Sequence, residues 1–442
     1  MPASRHAEFL DQLPDDWEEV PFGEIGEIVG GGTPSRTNPG FWGGEIEWVT
    51  PGELTDLETK WLTETRERIT RSGLKGSAAR VLPANTLLIT TRATIGSVAL
   101  AAKPVATNQG FRSIVCNSSA DPSFYYHLLR RIAPELKRLG SGSTFDEISK
   151  GDLSQIVVPR PTVDEQQMIA SVLDRGDELA EETRTTIVKL ERLRQGLRHD
   201  LLSFGLGADG KLRSVEDAGL KDSPCGPIPD SWEIPTLDEV IAPGAPICYG
   251  IVQPGAYDES GVPVLAIYNL NTDYRSGVHR VARSVESRYV RSRIRSGDVL
   301  LSIKGTIGRV GLVPDFFEGN ISRDLARIRP RPDVSPRFLR HIFLYEGTQR
   351  RLSIISVGST RLELSIWALR RFQIPLPDFD EQEKIAEVLD SVDARIQAEV
   401  DYERKVNLLK AGLAEDLLRG RVRVINGGPL LAGEPLVAGA RK

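Results

Sequence analysis

The chain has little of what metal binding, export or membrane insertion requires. Its 442 residues include three cysteines and five histidines. No CxxC or HxxxH spacing occurs, so a dedicated zinc site is not expected. Three widely spaced cysteines cannot form a complete disulfide framework, and no export signal precedes Pro14, which favours a reducing cytoplasm. No apolar run reaches the ~18 residues that span a bilayer, which excludes a membrane protein.

Signatures of catalysis are absent as well. The Gly-rich stretch at residues 30–33 lacks the GxxxxGK[ST] spacing of a phosphate-binding loop. Five isolated histidines support no Ser-His-Asp arrangement. We therefore expect a protein that is not an enzyme and needs neither a cofactor nor a metal ion. The net charge of −5, taken over the whole chain, argues mildly against a nucleic-acid partner.

One long repeat, with an offset of about 215 residues, organises the chain. The sequence DEQQMIASVLD from Asp164 returns as DEQEKIAEVLD from Asp380, with eight of eleven positions identical. The sequence PDDWE from Pro14 returns as PDSWE from Pro229. Each repeat is far longer than one unit of a solenoid, so the pattern predicts a duplicated domain pair.

The first part of each repeat has the composition of a globular domain. Residues 1–161 and 229–377 are rich in Gly, Pro and β-branched residues, and their short apolar runs predict strands. A proline after Asp121 and another after Ser335 stand at the first position of predicted helices. We therefore predict two mixed α+β domains.

The second part of each repeat has a helical pattern. Residues 162–205 and 378–421 carry a seven-residue apolar repeat, and a stripe this narrow needs a partner helix. The expected partner is the other copy, packed antiparallel. Residues 206–228 are predicted to be a linker, and residues 422–442 a flexible tail. The predicted coiled-coil interface consists of Ile169, Val172, Leu190, Leu193, Leu197, Ile385, Val388, Val406, Leu409 and Leu413.

Charge is unevenly distributed along the chain. The two helical segments carry net charges of −3 and −5, and residues 14–161 carry −2. Residues 229–377 carry +5, from 20 basic and 15 acidic residues, and 19 of the 20 are arginine. Arginine suits guanine edges and phosphates. Many of these arginines lie in residues 275–295, where a solvated charged surface is an equally open interpretation.

Several motifs occur twice and in the same order. They are LPDDWEEVPFGEI and IPDSWEIPTLDEV, TRATIG and KGTIG, SGSTFDEIS and VGSTRLELS, and PRPTVDEQQMIASVLD and PLPDFDEQEKIAEVLD; GGGTPSRTNPGFWGGEIEWVTPGEL occurs once. Together they resemble the specificity subunits of bacterial and archaeal type I restriction-modification systems. The resemblance covers roughly residues 14–421.

This resemblance implies an α+β fold. Two globular target-recognition domains would be joined by two long helices that form an antiparallel coiled coil, with an internal pseudo-twofold repeat. Each domain would read one half of a split double-stranded DNA sequence. The helices would hold the domains apart and dock methyltransferase subunits, and a restriction motor-nuclease subunit would join for cleavage. The second unit has no GGGTPS sequence, so the two domains are expected to recognise different sequences.

DNA contacts are predicted in loops that combine Gly, Ser, Thr and basic residues, because such loops suit phosphates and base edges. The Thr-Ile-Gly and Ser-Thr elements are equally open to interpretation as turns and caps of the fold. Residues 165–166 and 381–382, both Glu-Gln, are predicted to be structural or to face the methyltransferase. The predicted DNA-binding residues are Thr33, Ser35, Arg36, Arg92, Thr94, Ser143, Thr144, Lys304, Thr306, Ser359, Thr360 and Arg361.

Two other hypotheses stay open. One is a recognition fragment of a single-chain restriction-methyltransferase, which the absence of cofactor and nuclease motifs disfavours. The other is a tandem protein-interaction module that never touches DNA, which the arginine-rich second domain disfavours. The net charge of −2 on residues 14–161 is unexpected for a domain that reads DNA.

Overall fold

The chain divides into two compact units, each of which contains one globular domain. One unit consists of Met1–Arg184 and Asp401–Lys442, and the other is Thr185–Val400. The computed structural model describes residues 13–57, 59–92, 94–140, 147–207, 209–357 and 362–424. No helix in these ranges is both long enough and apolar enough to cross a bilayer.

The first unit is built on two sheets and one strand pair. The five-stranded sheet has the order β2-β9-β6-β7-β4, the three-stranded sheet has the order β5-β3-β8, and β1 pairs with β10. All pairs are antiparallel except β3-β8 and β4-β7. The strands are β1 (Glu18–Pro21), β2 (Gly26–Gly30), β3 (Trp42–Val49), β4 (Trp61–Leu62), β5 (Glu67–Ile69), β6 (Leu87–Ile89), β7 (Val98–Ala101), β8 (Val105–Thr107), β9 (Arg112–Cys116) and β10 (Val157–Arg160).

The central strand β6 shows why this sheet forms. Its three residues are apolar and fully buried. Because side chains alternate along a strand, Leu87 and Ile89 join the core that contains Phe124, while Leu88 joins the core on the other face. The short helices and 3-10 turns around these sheets are Phe22–Glu24, Pro39–Phe41, Pro51–Thr55, Arg71–Lys75, Pro122–Arg131, Ala133–Gly140 and Lys150–Ser154.

The second unit has a smaller main sheet. Its order is β13-β19-β16-β17, beside a three-stranded sheet β15-β14-β18 and the pair β11-β12. Only β14-β18 is parallel among the pairs of this unit. The strands are β11 (Leu220–Lys221), β12 (Ile228–Pro229), β13 (Cys248–Tyr249), β14 (Val262–Leu265), β15 (His279–Val281), β16 (Val299–Ser302), β17 (Val310–Leu312), β18 (Asn320–Ile321) and β19 (Leu325–Ile328).

The predicted linker, residues 206–228, is partly ordered into secondary structure. It contains β11, the start of β12 and the short helix Val215–Ala218, whose Ser214 cap accepts a hydrogen bond from Asp217 N. The predicted tail lies outside the described residues from 425 onward. The other short helices and 3-10 turns of this unit are Ile267–Asn269, Arg283–Glu286, Ser287–Ser292, Pro336–Leu344, Glu346–Ile354 and Ile366–Arg370.

Equivalent helices begin where the two prolines predicted them. The Asp121 carboxylate accepts a hydrogen bond from Phe124 N at 2.9 Å, and Pro122 opens the helix. The Ser335 hydroxyl accepts one from Phe338 N at 3.2 Å, and Pro336 follows it. A side chain that accepts from the first free amides stabilises a helix start.

The two predicted long helices are present at Val163–Ser203 and Phe379–Leu418. Both run through both units, and they are antiparallel within each. In the first unit Lys410 Nζ donates to Asp177 at 2.7 Å, while Arg184 lies 3.5 Å from Glu403. Residue numbers therefore rise along one helix while those of the contacted residues fall along the other, which confirms that the two helices are antiparallel.

The predicted seam between these helices is only partly correct. Ile169, Ile385 and Val406 are buried, and Val172, Leu190, Leu197 and Leu413 are half-buried. In contrast, Leu193 is 51% exposed, Leu409 is 72% exposed and Val388 is also exposed. The prediction is therefore wrong for these last three residues.

At several predicted seam positions, the residue that is buried or paired is the next one along the chain. Leu173 is fully buried where the adjacent Val172 is only half-buried, and Leu389 is buried where the adjacent Val388 is exposed. Beside Leu193 and Leu409, the adjacent Arg194 and Lys410 form ion pairs with carboxylates of the opposite helix. A criterion based on apolar residues misses these positions, because part of the seam is ionic.

Candidate nucleic-acid interface

A buried glutamate anchors the globular domain of the first unit to both long helices. Glu165 accepts a hydrogen bond from Trp17 Nε1 at 3.1 Å, and Arg423 donates to it at 2.5 and 3.0 Å. Arg423 also donates to both oxygens of Asp16 at 2.9 Å. Hydrogen bonds to Asp16 and then to Glu165 raise the pKa of Arg423. This glutamate has a structural role.

The second unit repeats this arrangement. Glu381 is buried and accepts from Trp232 Nε1 at 3.2 Å. Arg213 donates to both of its oxygens at 2.8 and 3.1 Å, and Leu206 N donates at 2.7 Å. The tryptophan of the repeated PDxWE motif and the glutamate of the DEQ motif thus meet in one contact, made once in each unit.

The neighbouring glutamines bind the caps of the domain helices. Gln166 Oε1 accepts a hydrogen bond from Asp121 N at 2.7 Å, and Gln382 Oε1 accepts one from Ser335 N at 2.8 Å. Both glutamine side chains are buried. These contacts fit the structural alternative predicted for residues 165–166 and 381–382.

A histidine–aspartate contact also occurs in both units. His127 Nε2 lies 2.8 Å from Asp174, and His341 Nε2 lies 2.7 Å from Asp390. Burial lowers the pKa of His341 despite the nearby carboxylate. Burial alone would raise the pKa of Asp390, but hydrogen bonds from His341 and Arg337 hold it at about 2.

The second of these contacts extends into the one group, among the described residues, that has metal-ligand spacing. The possible ligand atoms of His341, Asp390 and Asp393 all lie within 4.8 Å of one another. Arg337 already binds Asp390 at 2.6 Å, and Arg340 lies 3.4 Å from each carboxylate. Since these guanidinium groups neutralise the carboxylates and would repel a cation, the group is an ion-pair network.

The Thr-Ile-Gly elements form the same tight turn in both units. Thr90 Oγ1 donates to Thr94 O at 2.5 Å, and Gly96 has φ +89°. Ser302 Oγ donates to Thr306 O at 2.5 Å, and the following glycine has φ +88°. Glycine adopts this conformation without steric cost. The backbone of the Thr-Ile-Gly motif therefore forms a turn of the fold, which agrees with the interpretation of these elements as turns and caps.

Basic side chains stand at the start of these turns. Arg92 is exposed, has no side-chain partner among the described residues, and forms an isolated bridge with Glu147 through its backbone. Lys304 forms the equivalent bridge with Glu363 and pairs with its carboxylate at 2.9 Å. Thr306 is exposed, whereas Thr94 Oγ1 is buried without a hydrogen-bond partner.

The structure thus brings each turn beside the residue that follows a Ser-Thr motif. Glu147 follows SGSTFD, and Glu363 lies two residues after GSTR. The five predicted contact residues within those motifs lie outside the described residues. They are Ser143, Thr144, Ser359, Thr360 and Arg361.

The Gly-rich loop of the first unit is packed against its own domain. A Cβ on Gly31 would lie 1.9 Å from Asn108 O, and one on Gly32 would lie 2.4 Å from Ala79 N. Gly32 also accepts a hydrogen bond from Trp48 Nε1 at 3.0 Å. The glycines are required here by close backbone approach.

The three predicted contact residues of this loop are all exposed. Thr33 donates to Gln109, and Ser35 lies 2.9 Å from the Thr37 hydroxyl. Arg36 stacks on Trp42, 3.8 Å from the ring centroid, and both ends of its guanidinium bind Glu67, one of them at 2.8 Å. The hydrogen bond to Glu67 raises the pKa of Arg36. Its charge is therefore already paired.

The second unit contains a groove of about 720 Å³ with five arginines in its walls, which we name the arginine groove. Arg293 binds Glu286 at 2.6 Å, and the charge of Arg283 also acts on that carboxylate. Arg283 and Arg295 are exposed, and neither side chain forms a hydrogen bond or close ion pair in the part of the chain that the structure describes. The arginines are Arg283, Arg293, Arg295, Arg327 and Arg329.

Arg327 is the most deeply buried of them. It is 3% exposed; one guanidinium nitrogen donates to Pro246 O at 2.7 Å, and Nε has no partner. Burial lowers the pKa of Arg327. An arginine held in this way gains from an anion that satisfies its free donor. The sequence signal for the groove is the arginine-rich run at residues 275–295, although no residue of that run is among the predicted contacts.

Comparisons with known proteins agree on one family. Residues 14–192 and 250–406 match the family model of the type I restriction modification DNA specificity domain. The MjaIX type I restriction enzyme specificity subunit of Methanocaldococcus jannaschii is 32% identical over 234 residues, which cover 52% of this chain and 53% of that one. The MjaVIII specificity subunit of the same organism is 24% identical over 431 residues, covering 94% and 95%. This chain therefore spans about half the length of the first relative and nearly all of the second.

A solved structure has a similar fold. The crystal structure of a type I restriction-modification S subunit from M. genitalium matches with a TM-score of 0.57 at 16% identity, covering 92% of this chain and 96% of that one. A chain from a structural study of type I system assembly matches with the same TM-score at 20% identity, covering 93% and 99%. At these identities the likeness concerns the fold.

Proposed function

Since the chain belongs to the family of type I restriction modification DNA specificity domains, we propose that it selects the DNA target of a type I restriction-modification complex. It is the reader of the complex and is not itself an enzyme. Each unit recognises one half of a bipartite double-stranded sequence. It acts in the cytoplasm together with its partner subunits.

The arginine groove is the observation that carries this proposal. Arg283 and Arg295 are exposed on this groove, and their side chains form no hydrogen bond or close ion pair among the described residues. Backbone phosphates supply oxygen acceptors with the geometry that guanidinium prefers. Phosphate contacts of this kind set the register of a protein on a duplex and leave base edges to nearby side chains.

The first unit makes its contacts with different residues. Arg92 is the predicted cation there that has no side-chain partner among the described residues, while the exposed Thr33 and Ser35 offer hydroxyl groups. The turn at Lys304 and Thr306 is the corresponding surface of the second unit. The two units differ in these contact residues, which supports recognition of two unlike half-sites.

Methyltransferase subunits dock on the long helices. Leu193 and Val388 of the second unit and Leu408 and Leu409 of the first are exposed apolar side chains on these helices. Exposed apolar side chains that cluster on a surface mark protein interaction sites. The restriction motor-nuclease subunit joins the same complex for cleavage.

A domain exchange tests the proposal. Residues 229–377 are replaced by the equivalent residues of another family member, and the chain is expressed with its methyltransferase. Sequencing of DNA methylation is expected to show a change in one half of the target only. Exchange of residues 14–161 is the matched control and is expected to change the other half. A change in both halves, or in neither, would contradict the assignment of one half-site to each unit.

A further inference from the structure

A cleft rich in aromatic side chains adjoins the arginine groove in the second unit. We name it the aromatic cleft; its volume is about 800 Å³. Three of its rings are largely exposed: Tyr257 at 60%, Tyr268 at 63% and Phe316 at 57%. Aromatic residues make up only 6% of the chain, so three exposed rings in one cleft are unusual. Exposed apolar surface of this kind marks a binding site.

The floor of the aromatic cleft is a strained loop. Asn271 has φ +64° and Tyr274 has φ +56°. A bulky residue rarely adopts this left-handed conformation, and residues held in such conformations cluster at functional sites. The buried Tyr274 ring packs edge-on against Phe317 at 6.0 Å, and its hydroxyl accepts a hydrogen bond from Asn271 N at 3.4 Å. The Tyr274 ring and its hydroxyl group thus both hold the strained loop in place.

Cationic side chains lie among the rings. The Arg275 guanidinium stands over the Phe316 ring, 4.4 Å from its centroid. Tyr257 packs edge-on against His279 at 5.9 Å. His279 Nε2 and Arg280 Nε are buried and have no hydrogen-bond partner among the described residues. Aromatic faces interleaved with arginine are the pattern by which proteins hold unpaired bases.

The aromatic cleft adjoins the arginine groove at one shared residue. Glu318 lines both, and the adjacent residues Val262 and Pro263 of β14 line one each. Glu286 and Glu318 also line the groove, so its arginines have to outweigh two carboxylates for a phosphate to bind there. A phosphate at the Glu318 end would lie beside the cleft that holds the exposed rings. One ligand chemistry satisfies both features, namely a nucleotide with its phosphate in the groove and its base in the cleft.

We propose that the aromatic cleft receives one unstacked nucleobase of the DNA half-site that the second unit reads, while the arginine groove holds a neighbouring backbone phosphate. This inference rests on the proposed function. Stacking on tyrosine and phenylalanine does not depend on base identity, because every base has a flat face. The contact therefore senses how easily a particular base pair opens.

The first unit offers no equivalent surface in its Gly-rich region. Trp42 and Trp48 pack against each other edge-on at 5.0 Å, and Arg36 covers Trp42. Trp48 is buried and Trp42 is half-buried, whereas Phe316 remains 57% exposed although Arg275 stands over it. Unstacking is therefore not expected at the Gly-rich region of the first unit.

A scan of single mismatches tests the inference. The full chain, assembled with its methyltransferase, is titrated with duplexes that carry one mismatch at each pair of the second half-site. A mismatch at the pair that opens is expected to tighten binding about tenfold or more, because the cost of unpairing has already been met. Every other mismatch is expected to weaken binding. A parallel scan of the first half-site should give no tightening.

A double alanine variant and a matched double phenylalanine variant test whether the aromatic cleft causes the tighter binding at the mismatch. Tyr257→Ala with Tyr268→Ala is expected to weaken binding about 10- to 100-fold, the range for loss of base stacking, and to abolish the gain at the mismatch. Tyr257→Phe with Tyr268→Phe retains the rings and is expected to retain the gain. If the double alanine variant does not fold, Tyr268→Ala alone, at a largely exposed side chain, replaces it.

Two results would overturn the inference. One is the absence of any mismatch that tightens binding, and the other is a gain that persists in the alanine variant. If the domain exchange still changes one half-site in either case, the inference fails while the proposed function stands. If the exchange itself gives the contradictory result, the proposed function fails.

Discussion

In the first unit, several exposed arginines are paired with glutamates of the same unit: Arg71 lies 2.8 Å from Glu45, and Arg80 lies 2.9 Å from Glu27, whereas Arg92 has no side-chain partner among the described residues. In the second unit, Arg283 and Arg295 have no such partner among the described residues. Exposed ion pairs add little stability, about 0–1 kcal/mol. Their main effect is to neutralise cations, so a net charge reveals little about which arginines can bind DNA.

The net charge of −2 on the first domain does not show how many of its cations are occupied. Several of its acidic residues pair with its own arginines, as Glu67 does with Arg36 and Glu147 with Arg112. The second domain leaves more of its arginines unpaired and concentrates them in a groove. The same fold can therefore present a hydroxyl-rich loop in one unit and a cationic groove in the other.

The anchoring contact common to both units gives the largest expected effect. Glu165→Ala and Glu381→Ala each remove the acceptor of a tryptophan and an arginine, and each is expected to lower the free energy of unfolding by about 3–5 kcal/mol. Denaturant unfolding followed by tryptophan fluorescence measures the change. Asp380→Ala, at an exposed helix start, is the control and should cost about 1 kcal/mol or less. If only one of the two variants lost stability, the anchoring contact would not have the same role in both units.

The shifted seam of the long helices gives the next largest effect. Leu389→Ala in the second unit and Leu173→Ala in the first are expected to cost about 2–5 kcal/mol each, because both side chains are buried. Val388→Ala, at the adjacent exposed position, should cost about 0.5 kcal/mol or less. Equilibrium unfolding of the full chain provides the comparison. An equal loss in the free energy of unfolding for Val388→Ala and Leu389→Ala would contradict the shift and favour the seam predicted from the sequence.

The contrast between paired and unpaired arginines is tested by the salt dependence of DNA binding. Arg283→Ala with Arg295→Ala is expected to reduce the slope of log affinity against log salt by about 2, since each phosphate contact contributes about 0.9. Arg36→Ala should leave the slope unchanged, because Glu67 already neutralises that charge. Titrations of the assembled complex at several salt concentrations give both slopes. A larger decrease in slope for Arg36→Ala than for the Arg283/Arg295 double variant would contradict the distinction between paired and unpaired arginines.

The buried His341 is expected to give the smallest effect, on pH dependence. Its folded-state pKa lies below the ordinary value of about 6.5. As the pH falls below 6.5, the unfolded chain takes up the proton first, so stability falls with pH in this range. His341→Gln is expected to flatten that part of the profile, measured by denaturant unfolding between pH 5 and about 8. Asp390, whose pKa of about 2 is below its usual value, contributes to a further loss as the pH falls toward 2, together with other carboxyl groups of lowered pKa such as Asp174 and Glu415. An unchanged profile in the variant would contradict a role for His341.

Local patterns account for what was predictable from the sequence. The repeat, the two long helices, the antiparallel pairing and the helix starts at Asp121 and Ser335 depend on periodicity and on capping between near neighbours. The phase of the helix seam was not predictable in this way. Leu193 and Leu409 are apolar but exposed, while the adjacent Arg194 and Lys410 form ion pairs across the seam.

The sequence by itself determined that the chain is a duplicated domain pair with two helical segments, because these features repeat at a fixed offset and a fixed period. Only the tertiary structure decided which cations are paired. Arg36 meets Glu67 across 31 positions of the chain, and the arginine groove joins residues 283–295 with Arg327 and Arg329. Such contacts depend on strand register and on loops that cross between strands, and no local pattern of residues encodes which carboxylate reaches which guanidinium.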